Sequence, residues 1–223
     1  MNDLKGKPKN LQWKYVRANA LRHNNKKGYH HGDLKPALIQ AGLEILEEEG
    51  LDALSLRAIA SRVGVSHTAP KNHFGSFHGL LASIAAEGFR RHAAEMRKGV
   101  EGASNGRERL DAASKGYVRF ARENQALFSL MFSPRFHENA GDELMAAGRE
   151  SYSVLEEIAE GLDWQKRGPR LGPDTENLRT QLMLWAFVHG YASLFNEGRM
   201  PTKQDGEPVL DVLDVIPRFD YLD

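Results

Sequence analysis

The fold is decided by the segment from Leu54 to Leu80, which reads Leu-Ser-Leu-Arg-Ala-Ile-Ala-Ser-Arg-Val-Gly-Val-Ser-His-Thr-Ala-Pro-Lys-Asn-His-Phe-Gly-Ser-Phe-His-Gly-Leu. The apolar residues of its first half fall at helical spacing and are Leu56, Ile59, Ala60 and Val63. Ser55 predicts an N-cap, because its hydroxyl can accept a free backbone N–H. Gly64 stands where the chain must turn left-handed. The segment therefore predicts a helix of about two turns, a glycine turn and a second helix capped by Ser66.

The two predicted helices and the turn between them form a helix-turn-helix pattern, with a small Ala60 at the crossing point. In such a motif the second helix lies in the DNA major groove and its first residues meet base edges. The residues at these positions can all form hydrogen bonds, and they are Ser66, His67, Thr68, Lys71 and Asn72. None is acidic, which favours an anionic partner. The alternative is a plain helical hairpin inside an all-α protein.

The wider segment from about Tyr29 to Arg91 resembles the DNA-binding domain of the TetR/AcrR-type bacterial transcriptional regulators. The matching motifs are Gly-Tyr-His-His-Gly-Asp-Leu (28–34), Ala-Leu-Ile-Gln-Ala-Gly-Leu-Glu-Ile-Leu (37–46), Glu-Glu-Gly-Leu (48–51), Ser-Leu-Arg-Ala-Ile-Ala (55–60), Val-Gly-Val-Ser (63–66) and His-Phe (73–74). They join three helices at fixed spacing, so the resemblance is specific. It implies DNA binding, and the further residues expected at the DNA are Lys26, Lys27, Tyr29, His30, Ser55, Arg57 and His73.

Two residues depart from the family pattern, and a third, Pro70, is unusual on physical grounds. Lys71 stands where the family usually has tyrosine, and Phe77 where it usually has lysine. A lysine can still meet the operator backbone as a point charge, so we expect stronger salt dependence rather than loss of binding. Phe77 leaves a phosphate contact near the fourth helix unsupported. If Ser66 is the N-cap, the ring of Pro70 deletes the first intrahelical hydrogen bond, and the recognition helix should start late or with a strained turn.

The composition of the 223-residue chain, 41% hydrophobic and 27% charged, is that of an ordinary globular protein. There is no cysteine, which fits a reducing cytoplasm. The N-terminus is too polar for a signal peptide, and the longest apolar run, 182–195, is too short to span a bilayer, so we expect no membrane partner. No motif of a common enzyme class is present, and His30 and His31 lack a third ligand. We therefore expect neither catalysis, nor a metal, nor another cofactor.

Charge is distributed unevenly along a chain whose net charge is zero. Residues 1–28 hold eight Lys and Arg against one Asp, residues 29–98 hold eight of each sign, and residues 99–223 hold 14 basic and 21 acidic side chains. The first range predicts a flexible basic arm that follows DNA phosphates, or else a solvated tail. The second range predicts the helix-turn-helix domain with its connecting helix, and the third a helical effector-binding and dimerisation domain.

The sequence after the predicted recognition helix reads as a series of helices separated by turns. The helices predicted after the recognition helix cover about 77–98, 107–123, 125–132, 139–161 and 175–198. Asp33 is expected to cap the first helix of the chain and Asp174 the last. The last helix is apolar almost all round between Leu182 and Phe195. Such a helix has to be covered, and at the edge of a domain a second subunit covers it, so the sequence predicts a homodimer.

Aromatic residues are dense in this half, which also resembles the regulator family through Tyr-Val-Arg-Phe-Ala (117–121) and Trp-Ala-Phe-Val-His-Gly (185–190). Helical bundles bind ligands between helices, in cavities with mainly apolar walls. The residues predicted to contact a small apolar or amphipathic effector are Tyr117, Phe120, Phe128, Phe132, Tyr152, Trp185 and His189. Each of them could equally be ordinary core, and His189 is the best polar anchor among them.

Taken together, the sequence predicts an all-α protein with an N-terminal three-helix helix-turn-helix domain and a C-terminal helical bundle. The leading hypothesis is a ligand-responsive homodimeric repressor that binds a near-palindromic double-stranded operator, with its two recognition helices about 34–36 Å apart. A helical protein-interaction module with a vestigial helix-turn-helix is the alternative. An activator or a global DNA organiser would share the same footprint.

Overall fold

The computed structural model describes residues 34–136, 140–160, 162–163, 173–216 and 220–221 of the chain. Several sequence predictions lie outside these residues, namely the basic arm (1–28), the cap Asp33, the contacts Lys26, Lys27, Tyr29 and His30, and most of the turn before the last long helix.

Nine α-helices make up the described fold, which confirms the all-α prediction. They are α1 (Leu34–Glu49), α2 (Leu56–Val63), α3 (Ala69–Phe74), α4 (Phe77–Arg97), α5 (Gly106–Glu123), α6 (Gln125–Met131), α7 (Gly141–Ala159), α8 (Pro173–Asn196) and α9 (Val212–Val215). Two 3-10 turns, Leu51–Ala53 and Pro134–Phe136, follow α1 and α6. The strands β1 (Leu162–Asp163) and β2 (Asp220–Tyr221) pair antiparallel, an element that the sequence did not predict.

The helix-turn-helix forms as the local sequence predicts. The Ser55 hydroxyl accepts the backbone N–H of Ala58 at 3.0 Å and caps α2. Gly64 ends α2 at φ 77°, a left-handed conformation that costs a glycine little. Ile59 and Ala60 are fully buried against the core that α1 and α4 supply. Apolar periodicity and the two caps thus fix the angle at which α3 leaves α2.

The recognition helix α3 begins at Ala69, so the prediction that Ser66 caps it is wrong. Ser66 instead opens a turn, in which its hydroxyl bonds to the Thr68 hydroxyl at 2.9 Å. The late start agrees with the effect expected of Pro70, which now lies in the first turn of the helix, where a missing N–H breaks no hydrogen bond. The Pro70 ring is fully buried and holds the short helix against the core.

A single 21-residue helix, α4, belongs to both halves of the fold. Its first half buries Leu80 and Ile84 in the core of the helix-turn-helix, and its second half packs against α5 and α7. The approach to α5 is close at Gly116, where an added Cβ would lie 2.9 Å from the Met96 Cα and closer still to the Glu95 carbonyl oxygen. Phe77, the first residue of α4, is 36% exposed.

The C-terminal half is a bundle of α5, α6, α7 and α8 around the second half of α4. The helix α8 begins at Pro173, one residue before the predicted cap Asp174, and Pro suits the first helical position. The segment after α8 folds back on α5, since Arg122 donates two hydrogen bonds to the Glu207 carboxylate. The same guanidinium lies 4.6 Å from the Phe195 ring centroid. None of the helices in the described part of the chain could cross a membrane.

Candidate functional site

The surface of the helix-turn-helix presents the polar residues that the sequence assigns to DNA. Those with exposed side chains are Ser55, Arg57, Ser66, His67, Thr68, Lys71, Asn72 and His73. Pro70 lies on the opposite, buried side of α3. Lys71, Asn72 and His73 therefore sit on a short helix that the buried Pro70 holds against the core, whereas Ser66, His67 and Thr68 lie in the turn that precedes it.

The cations of this surface differ in their availability. Arg62 is held by ion pairs to Glu48 at 2.7 Å and Glu49 at 2.9 Å, which tie α2 to the end of α1. Among the described residues neither Arg57 nor Lys71 forms an ion pair. These two cations are thus available to phosphate, whereas the guanidinium of Arg62 serves the packing of two helices.

A cavity of about 450 Å³ lies inside the C-terminal bundle. Its described walls come from α4, α5, α7, α8 and the end of α6, and they are formed by Phe89, His92, Met96, Leu110, Ala113, Ser114, Tyr117, Phe132, Met145, Gly148, Ser151, Tyr152, Leu155, Ile158, Leu184, Trp185 and Val188. This volume falls within the range of pockets that hold small organic molecules.

The structure divides the predicted effector residues into two groups. Tyr117, Phe132, Tyr152 and Trp185 line the cavity. The others, Phe120, Phe128 and His189, lie outside its walls. Phe120 and Phe128 are buried in the aromatic core behind it.

His189, the predicted anchor, lies behind the cavity wall, where its Nδ1 is 2.8 Å from the Tyr117 hydroxyl and its ring packs edge-on against Phe132. Burial lowers the pKa of His189 and raises the pKa of Tyr117, so both groups are neutral near pH 7. The His189 side chain also borders a separate groove between α6 and α8.

His92 lines the cavity, although the sequence analysis did not single it out. Its side chain is 2% exposed, and its Nδ1 lies 2.9 Å from the Ser151 hydroxyl. Burial, with a smaller contribution from His189, lowers the pKa of His92 to about 3, so the ring is uncharged. A signal did exist, because His92 and Met96 continue the inward stripe of α4 beyond Phe89 at helical spacing.

An ion-pair cluster connects the wall of this cavity to the first helix. The Glu143 carboxylate on α7 accepts hydrogen bonds from Lys35 on α1 at 2.9 Å and from Arg90 on α4 at 3.1 Å. Burial opposes ionisation of Glu143, but the two cations outweigh it and lower its pKa. α7, which lines the cavity, is thus joined directly to the DNA-binding half.

One side of α8 is apolar and exposed. Its residues recur every four positions and are Leu178, Leu182, Ala186, Gly190 and Leu194. The three leucines are each 47% exposed. A stripe of this length and composition is typical of a helix that packs against a partner.

A helix-turn-helix joined by one long helix to a helical bundle with an internal cavity defines a DNA-binding transcriptional regulator. Residues 38–84 match the sequence profile described as bacterial regulatory proteins of the tetR family, and residues 110–214 match that of a tetracyclin repressor-like C-terminal domain. The chain belongs to the TetR family of bacterial regulatory proteins. This confirms the family that the sequence motifs indicated.

Individual relatives agree with this assignment. The HTH-type transcriptional regulator BetI of Vibrio campbellii is 32% identical over 94 residues, which are 41% of this chain and 47% of the relative. The matched segment thus spans about half the length of that curated relative.

Solved structures match over more of the chain. A protein with unknown function from Rhodococcus sp. RHA1 is 32% identical, with a TM-score of 0.66 over 82% of this chain and 91% of the other. A possible TetR family transcriptional regulator from Streptomyces coelicolor A3(2) is 16% identical, with a TM-score of 0.52 over 73% and 69%. The second match supports the fold alone.

No cluster of three or more His, Asp or Glu side chains suited to a metal ion occurs among the described residues, and His30 and His31 are not among them.

Proposed function

We propose that this protein is a cytoplasmic, ligand-responsive repressor that binds a near-palindromic DNA operator as a homodimer and catalyses no reaction. The residues at the DNA are those of the exposed set on α2, on α3 and in the turn between them, with Arg57 and Lys71 neutralising phosphate and Thr68 and Asn72 meeting base edges. A small apolar or amphipathic effector binds in the cavity of the C-terminal bundle and lowers operator affinity.

The observation that carries this proposal is that α4 serves both sites. The same rigid helix supplies Leu80 and Ile84 to the core beneath the recognition helix and Phe89, His92 and Met96 to the cavity wall. An effector that prefers one position of α4 must therefore prefer one position of the recognition helix. This differential affinity is what a shift between two conformers requires.

The exposed stripe on α8 supports the homodimer. Two-fold pairing of this stripe would cover its leucines and place two recognition helices on one duplex. A dimer explains why an otherwise globular chain leaves apolar side chains exposed at every fourth position of one helix.

Three single substitutions test the DNA-reading surface. The operator is first selected from a pool of random-sequence duplex DNA, and binding is then measured over a range of salt concentrations. Thr68→Ala and Asn72→Ala should each lower the preference for the selected operator by about 1–3 kcal/mol. Lys71→Ala should weaken binding to all sequences and reduce the salt slope by about 1.

Lys115→Ala is the matched control, because Lys115 is an exposed lysine on α5, outside the helix-turn-helix. It should leave both the affinity and the salt slope unchanged. If the three test variants bind the operator as the parent does, the recognition surface is wrongly assigned. If no sequence is enriched from the pool, the alternative of a helical interaction module is favoured.

A further inference from the structure

The cavity in the C-terminal bundle has uncharged walls. None of the described residues that line it is Asp, Glu, Lys or Arg. Its polar groups belong to two serines, two tyrosines, a histidine and a tryptophan, which are Ser114, Ser151, Tyr117, Tyr152, His92 and Trp185. A charged ligand group that entered the cavity would lose its hydration and find no opposite charge in the wall, which costs a large free energy.

The two tyrosine hydroxyls of the wall already take part in hydrogen bonds. The Tyr152 hydroxyl donates to Gln181 at 2.9 Å, and the Tyr117 hydroxyl is bonded to His189. Two of the polar groups that line the cavity are therefore committed to neighbouring helices.

The pair of His92 and Ser151 differs from these tyrosines. Both side chains are more than nine-tenths buried, and they bond to each other across α4 and α7. Nε2 of His92 has no hydrogen-bond partner among the described residues, a rare condition for a buried nitrogen. An unsatisfied buried polar atom costs free energy that a ligand group can recover.

We propose that the effector is an uncharged, mainly hydrocarbon molecule with one hydroxyl or carbonyl group, and that the His92–Ser151 pair contacts this group. The inference rests on the proposed function, since it names the class of molecule that the effector cavity takes. The ligand group would meet α4 and α7 where they are already joined by a hydrogen bond. Binding there acts directly on the helix that carries the DNA-binding core.

Four probes with one ring system test the ligand class: 2-naphthalenemethanol, 2-methylnaphthalene, 2-naphthoate and 2-naphthylmethylammonium. All four probes are compact, so that the substituent stays within the cavity. Their affinities are measured by calorimetric titration of the full chain at pH 7.5. The alcohol should bind about three- to tenfold more tightly than 2-methylnaphthalene, which is the gain from one hydrogen bond. The two charged probes should bind at least about tenfold more weakly than the alcohol.

Variants of the pair test the assigned contact. Ser151→Ala and His92→Phe should each bring the affinity for the alcohol down to that for 2-methylnaphthalene. Ser153→Ala is the matched control on the same helix, since the Ser153 hydroxyl bonds to the Glu150 carbonyl and does not line the cavity. The measured quantity is the ratio of two affinities, which general loosening of the bundle does not change.

The outcomes separate this inference from the proposed function. Charged probes that bind as tightly as the alcohol, or a ratio unchanged in Ser151→Ala and His92→Phe, overturn the ligand class while the effector cavity stands. If none of the four probes binds, both the ligand class and the effector-binding part of the proposed function fail. Operator binding, measured separately, is unaffected by either result.

Discussion

Burial of a neutral histidine makes stability depend on pH, and His92 offers a measurable case. The pKa of His92 is about 3 in the folded chain against 6.5 for the free side chain. Between these values the unfolded state binds the proton more readily, so lowering the pH favours unfolding. Relative to pH 7.5, the loss of unfolding free energy from this one group at pH 5 is about 2 kcal/mol.

The assay is urea unfolding of the parent protein and of His92→Phe at pH 7.5 and pH 5, at one fixed protein concentration because a dimer is expected. The parent should lose about 2 kcal/mol more than the variant on acidification. His189, whose pKa burial also lowers, contributes equally to both proteins and cancels in the comparison. Equal losses in the two proteins would refute the assignment of a buried, neutral imidazole at position 92.

Four further substitutions probe helix packing, the inter-helix bridge and the proposed dimer. Gly116→Ala should destabilise the protein by about 1–3 kcal/mol in thermal unfolding, since the added Cβ would collide with the backbone of α4. Gly148→Ala is the comparison, because no atom lies within 4 Å of its added Cβ, and it should be neutral or stabilise the protein by up to about 1 kcal/mol. Glu143→Gln should speed exchange of the first hydrogen-bonded amides of α1, from Leu38 onward, by about two- to fivefold, and an unchanged rate would show that the bridge is not coupled to the start of α1. Leu182→Glu should convert the dimer into a helical monomer in sedimentation velocity, and a persisting dimer would place the interface elsewhere.

The helix-turn-helix could be predicted from sequence because its signals are local. Ser55 caps α2 and Gly64 ends it through groups within a few residues of each other. The start of α3 was harder, since Ser66 is an equally good local cap. Pro70 pointed to a late start, which the structure shows, but the sequence did not indicate that Thr68 rather than Ser66 would precede the helix.

The cavity could be predicted in part. The density of aromatic residues predicted a cavity, and Tyr117 and Trp185 both line the one that the structure shows. Helical periodicity does not tell which side of a buried helix faces a cavity and which side faces the core. Phe120 therefore shares a stripe with Tyr117 and yet packs into the core. The sequence did not indicate a role for His92, because its hydrogen-bond partner in the cavity wall, Ser151, lies 59 residues later in the chain.

The unbroken course of α4 limits how this regulator can be recombined with others. A chimera joined in the glycine-rich segment 99–106 would separate the predicted domains in sequence. It would also remove the helices of the bundle that pack against Phe89 and Met96. A cut before α4 would instead remove Leu80 and Ile84 from beneath the recognition helix. A chimera designed to respond to this protein's effector at a different operator should therefore be spliced within α4, between Ile84 and Phe89.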